Sequence, residues 1–214
     1  MARLVDKGYL IGHIKYSESS AILDFYFQEH GRIKLMAKGI RKKKHISLIP
    51  LSFFEIEFST PKEDSGLGNL YKANQISTVN NAVGNVVVGG LLLFFAEFLA
   101  KTTELNFKDR RFYEFINWSE KQLSGKEIDP NVAIIFIHQW GFTYGIDWQE
   151  LEKELHQSGM PIKSIFREEN NFLDHLISKN KRKETLEYML EMLFRANIIP
   201  KNHFNSLDTL SSIW

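Results

Sequence analysis

The spacing of apolar residues changes once along this chain, near residue 80, and that change limits the folds open to it. Up to about Ser77 apolar positions alternate in short runs rich in β-branched and aromatic side chains, the period of strands. Beyond residue 80 they recur every three or four positions and glycine and proline become sparse, the period of helices. The expected fold class is α+β in series: an N-terminal five-stranded β-barrel of the OB type over residues 1–80, then an all-helical domain over 81–214, with no zinc module.

Five runs read as strands: Lys7–Tyr16, Ala21–Gln28, Arg32–Lys38, Ser52–Ser59 and Leu70–Ser77. Glu29-His30-Gly31 connects the second and third as a hairpin, with Gly31 free to take positive φ. In the fourth run Phe54, Ile56 and Phe58 alternate with Glu55 and Glu57, giving one dry and one wet face. A long link between strands three and four suits a Greek-key barrel of the OB type, and an SH3-like barrel fits nearly as well.

Helices are expected at Val83–Leu105, Arg110–Leu123, Asn131–Trp140, Trp148–His156, Phe172–Lys179 and Lys183–Ala196. Asp109 and Asp129 are candidate N-caps, the latter followed by Pro130 at a first helical position. Residues 159–161 and 168–171 read as loops. The most apolar stretch, 86–99, is interrupted by Glu97 and falls short of the roughly 20 apolar residues of a spanning helix, so it reads as a buried core helix. The opening MARLVDKGYLIGH has no apolar core ahead of a small-residue cleavage site, so no secretory signal is read and the mature chain is expected to begin there.

Charge adds a second asymmetry. The chain carries 27 Lys+Arg against 26 Asp+Glu, but residues 1–80 hold 12 cations and 8 anions (+4), leaving 15 and 18 (−3) for the remainder. Such a division points to a polyanionic partner for the first part. There is no cysteine, so disulfides, thiolate metal sites and thiol nucleophiles are excluded. The seven histidines show no ligand spacing, and HExxH, GxGxxG, Walker and GxSxG patterns are missing. No converging carboxylates suggest a two-metal nuclease. No metal, no other cofactor and no enzymatic activity are expected. His138, in IIFIHQW, reads as a core histidine.

The third strand carries the chemistry. Ile33, Leu35 and Ala37 face one way, and Arg32, Lys34 and Lys38, with Met36 between them, face the other. The chain then runs into Gly39 and the consecutive cations Arg41, Lys42, Lys43 and Lys44, read as a flexible basic loop. Cations at strand spacing followed by such a loop can track a phosphate backbone without reading bases. Tyr9, Tyr26 and Tyr71 are candidates for stacking on unpaired bases. The competing reading makes 41–44 a solvated loop and the tyrosines barrel core. In the helical part, Met189, Leu190, Met192, Leu193 and Phe194 read as packing, and a groove with a basic lip would be the form suited to an acidic peptide tail.

Gly8–Ser20 (GYLIGHIKYSESS), Phe25–Lys44 (FYFQEHGRIKLMAKGIRKKK) and Ile49–Phe54 (IPLSFF) together resemble the bacterial recombination mediator family RecO. Leu70–Ala73 (LYKA) and Gln139–Asp147 (QWGFTYGID) match that family more weakly. Many relatives place a four-cysteine zinc module after the last phrase, and here no cysteine remains. The resemblance implies a cytoplasmic, nucleoid-associated DNA repair and recombination protein that binds single- and double-stranded DNA. It implies annealing of strands coated with single-strand DNA-binding protein, whose acidic C-terminal tail would dock on the helical domain. It also implies RecR as a partner, bound mainly through the barrel, in loading RecA, with no membrane association. By this resemblance Arg32, Lys34, Lys38 and Arg41 to Lys44 are the DNA-facing residues. The alternative is a generic single-stranded nucleic-acid-binding module without mediator activity.

Overall fold

The strands of the computed structural model, which describes residues 3–61, 66–79, 84–148, 153, 178–199 and 204–213, are Leu4–Lys15 (β1), Ala21–Phe27 (β2), Gly31–Ala37 (β3), Phe53–Ser59 (β4) and Gly68–Ser77 (β5). They form a closed barrel in the order β1-β2-β3-β5-β4, with β4 returning to β1. β3 and β5 run parallel, Leu35 opposite Gly68, while the other pairs are antiparallel. That Greek-key order is the OB type and removes the SH3-like alternative.

Alternation places the barrel core as expected. Ile33, Leu35 and Ala37 of β3 and Phe54, Ile56 and Phe58 of β4 are buried together with Leu23, Phe25 and Phe27 of β2. The β2–β3 turn is Gln28–His30, with Gly31 already paired to Phe27. Gly31 has φ +67, and a Cβ there would stand 2.2 Å from the Phe107 carbonyl oxygen. Glycine is therefore required both by the turn and by the close approach of the chain after the first helix. The link after β3 is folded rather than loose. Gly39, at φ +69, starts a 3₁₀ turn over Ile40–Lys42, and Ile40 is buried in the barrel core. The expectation of a flexible basic loop is corrected by that buried anchor.

The described helices are Val86–Thr102 (α1), Arg110–Ser124 (α2), Val132–Thr143 (α3), Lys179–Arg195 (α4) and Asn205–Ile213 (α5). Asn85 caps α1, its side chain accepting from Val87 N and Val88 N at 3.0 and 3.2 Å, so the helix begins after the expected Val83. Asp109 caps α2 through Arg111 N at 2.7 Å. Asp129 instead accepts from Asn131 N, which holds Pro130 in a turn ahead of α3 rather than at its first position. The helix expected over Trp148–His156 lies outside the described residues except for Trp148, which is not helical, and Lys153, which is. That expected over Phe172–Lys179 lies outside them up to Ile177, as do the loops at 159–161 and 168–171. α5 was not anticipated from sequence. Among the described residues no helix is long and apolar enough to cross a membrane.

α1 is buried along most of its length, with Leu91 and Leu99 in the helical core and Phe94, Phe95 and Phe98 meeting Phe136 and Trp140 of α3. This helical core is continuous with the outside of the barrel, because Tyr9, Ile11, Tyr26 and Leu51 belong to the same buried cluster. Polar clasps reinforce the join. Asn106 N donates to Arg32 O at 2.8 Å and Arg32 N to Phe107 O at 3.1 Å. Glu97 of α1 accepts from Asn205 N and Ser206 N at the start of α5 and pairs with Lys101 at 2.7 Å. Burial works against its ionisation, but these donors outweigh that and hold its carboxyl below the usual range.

Candidate nucleic-acid interface

The basic positions divide into two groups once the second layer is in place. Arg32 points out of the barrel, as its register requires, but α1 covers it and leaves it 6% exposed. Its guanidinium pairs with Asp24, Nε to Oδ1 at 3.0 Å and Nη2 to Oδ2 at 2.7 Å. Nη1 donates to the carbonyls of Ala100, at 2.8 Å, and Thr103. With four of its five N–H donors engaged and the group shut off from solvent, the guanidinium cannot reach a phosphate, so the DNA-facing assignment of Arg32 is corrected: it fastens the end of α1 to the barrel.

The remaining cations reach solvent. Lys38, Arg41, Lys42 and Lys44 are exposed, and Lys34 and Lys43 are partly so. Among the described residues no carboxylate lies within ion-pair distance of Lys34, Lys38, Lys42, Lys43 or Lys44. Arg41 has a structural task as well. Its Nη1 donates to Ser17 O and Glu18 O, both at 2.9 Å, and its backbone N to Ser19 O at 3.1 Å. The 3₁₀ turn and the β1–β2 turn are thereby pinned together at one end of the barrel. His13 lies beside this pin, where burial, and then the Arg41 charge, lower its pKa and favour the neutral ring.

Two of the three candidate tyrosines are also corrected. Tyr9 and Tyr26 are buried beneath α2, Tyr9 Oη donating to Asn117 Oδ1 at 2.8 Å and Tyr26 Oη accepting from Asp109 N at 2.9 Å. Desolvation pushes both phenols above their ordinary value, and neither ring face is open to a base. Tyr71 is 42% exposed on the β1–β4–β5 side, where the Arg3 guanidinium lies 4.6 Å over its ring. Tyr16, 66% exposed, was not singled out as a candidate from sequence. The signal was available, since it stands between the end of β1 and the turn Ser17-Glu18-Ser19-Ser20.

Between α2 and α3 lies an open cleft of about 370 Å³ lined by Arg111, Glu114, Phe115, Trp118, Gln139, Phe142 and Thr143. Phe142 is 72% exposed, and Arg111, paired to Asp109 at 3.0 Å, supplies a cation at the lip. His138, on the same helix but half-buried, stacks against Trp148. Burial drives its pKa down to about 4, so it sits there as a neutral ring. Trp148 Nε1 donates to His138 O at 3.1 Å, and a Cβ on Gly141 would collide with the Trp148 ring. Trp148, directly after GFTYGID, is thus folded back on α3. Among the described residues no group of three or more His, Asp or Glu is placed to hold a metal.

Residues 1–79 match the family profile described as "Recombination protein O N terminal". Over 125 residues the chain is 31% identical to "DNA repair protein RecO" of Bacillus subtilis (strain 168), an alignment covering 58% of this chain but only 48% of that protein. It is 28% identical over 203 residues to the Vibrio atlanticus (strain LGP32) protein of the same name, covering 86% and 81%. With that of Polynucleobacter necessarius subsp. necessarius (strain STIR1) it shares 31% over 153 residues, 68% and 62%. With the matched profile on the barrel and these relatives extending into the helices, the chain belongs to the RecO family of DNA repair proteins.

Proposed function

We propose that this protein is a non-enzymatic recombination mediator that binds single- and double-stranded DNA in the cytoplasm, at the nucleoid. It anneals strands coated with single-strand DNA-binding protein and, with RecR, promotes RecA loading. The observation that carries the reading is the set of cations without carboxylate partners among the described residues, Lys38, Lys42, Lys43 and Lys44, gathered at one end of an OB barrel. Annealing needs no nucleotide cofactor on this scheme, because neutralised phosphates let two strands approach and base pairing supplies the free energy. Replacing Lys38, Lys42 and Lys44 together by Gln is expected to weaken DNA binding at all sequences and to reduce the slope of log K against log salt by up to roughly 2.1–2.7, at about 0.7–0.9 per lost contact. A slope unchanged in titrations across salt concentrations removes the assignment.

The α2–α3 cleft supports the second half of the reading. Its apolar wall of Phe115, Trp118 and Phe142 with Arg111 at the lip suits an acidic tail ending in an apolar side chain. The test is annealing of complementary oligonucleotides precoated with single-strand DNA-binding protein, with and without its tail, in EDTA and without ATP. Tail-dependent annealing is expected. The double variant Arg111→Glu, Phe142→Ala should lose that dependence and bind a tail peptide roughly tenfold or more weakly, about 1.4 kcal/mol or more. Equal annealing of tailed and tailless protein would leave only a nucleic-acid-binding module.

A further inference from the structure

The outer face of β1–β2–β3 carries a row of apolar side chains at least partly open to solvent. Ile14 lies opposite Ile22, and Ile22 opposite Met36. Ile14 is 64% exposed, and Ile22 and Met36 are partly so. Tyr16, two positions beyond Ile14, is 66% exposed. Lys34, two positions before Met36, is on the same outward side of β3 by strand parity, and the exposed Lys38 follows directly after the strand's last residue, Ala37. The row therefore lies beside cations. Its end is also held in place: Tyr16 N donates to Ser20 O at 3.1 Å, and Arg41 grips the carbonyls of Ser17 and Glu18.

Exposed apolar surface beside lysines that have no carboxylate partner among the described residues is poorly suited to duplex DNA, which offers phosphates outside and hides its base faces in the stack. An unpaired strand offers both phosphates for the lysines and aromatic faces for the ring. On the strength of the DNA-binding reading above, we infer that Tyr16 stacks on an unpaired base, with Ile14, Ile22 and Met36 as the apolar floor beside it, and that this row makes the barrel prefer single strands. Arg41 acts here as a positioning residue, holding the turn that presents the ring.

The test compares full-length wild type, Tyr16→Ala and Tyr16→Phe on a thymidine 30-mer, on the same length of duplex, and on a 30-mer containing one 2-aminopurine. Tyr16 is exposed, so its replacement leaves the fold intact. Tyr16→Ala is expected to weaken single-strand binding roughly 5- to 100-fold, the scale of one base–aromatic stack, while duplex binding moves less than twofold. Tyr16→Phe should restore the affinity and the quenching of 2-aminopurine. Unchanged single-strand binding, or an equal loss on both substrates, overturns the stacking role. The Lys38, Lys42, Lys44 variant, run in parallel, keeps the two readings apart: it loses affinity wherever the cationic surface binds DNA, whatever Tyr16 does.

Discussion

Arg32→Ala is expected to cost about 3–5 kcal/mol of stability, the scale for removing one partner of a buried ion pair. Asp24, itself buried, would keep its charge without a counter-ion, and the carbonyls of Ala100 and Thr103 would lose their donor. For a chain of this size that loss corresponds to a fall in Tm of roughly 6–20 °C. Thermal unfolding followed by circular dichroism measures it. The double variant Arg32→Met, Asp24→Leu should recover at least half of the loss, because it also removes the stranded carboxylate. Equal destabilisation of the single and double variants would mean that the pair is not the source. Any DNA-binding defect of Arg32→Ala should vanish at temperatures where the variant is folded, which separates Arg32 from the lysines that face solvent.

Phe136→Ala should be of similar size, about 3–5 kcal/mol. Phe136 is fully buried, stacked on Phe95 at 3.8 Å between ring centroids and surrounded by Phe94, Phe98 and Phe115. Its loss opens a hole in the helical core, and Phe115, 5.0 Å away, is also a wall of the α2–α3 cleft. The variant is therefore expected to lower Tm and to weaken tail-peptide binding while leaving the salt slope of DNA binding as in wild type. Phe136→Leu should lose less stability, since more of the volume is kept. A changed salt slope in a folded Phe136→Ala protein would contradict the separation of the two sites.

Much of the barrel was legible because alternation reports which side chains of a strand share a face, and Phe54, Ile56 and Phe58 or Ile33, Leu35 and Ala37 lie where that rule puts them. The rule is silent on what covers the other face. Tyr9, Tyr26 and Arg32 do point outward, yet the helical layer lies over them, so a period-two reading took buried clasps for contact residues. A stretch of cations likewise reads as a mobile loop: of its two anchors, Ile40 is a single apolar side chain beside polar neighbours, and Arg41 is itself one of the cations, held by carbonyls some twenty residues earlier. α5 escaped notice because Asn205–Ile213 has only Leu207, Leu210 and Ile213 as apolar positions, and its docking depends on Glu97, over a hundred residues earlier. The α2–α3 cleft depends on the crossing of two helices, which no local pattern encodes.

The core shared by barrel and helices also bears on how the chain is made. Translation delivers the five strands first, when the outward faces of Tyr9 and Tyr26 and the guanidinium of Arg32 have nothing to meet. Their partners, Ala100, Asp109 and Asn117, leave the ribosome up to roughly 40 residues after the last strand, a wait of about 2–8 s at ordinary synthesis rates of about 5–20 residues per second. During that interval the nascent barrel exposes an aromatic surface beside an uncovered ion pair, and it is then that a chaperone would have something to hold.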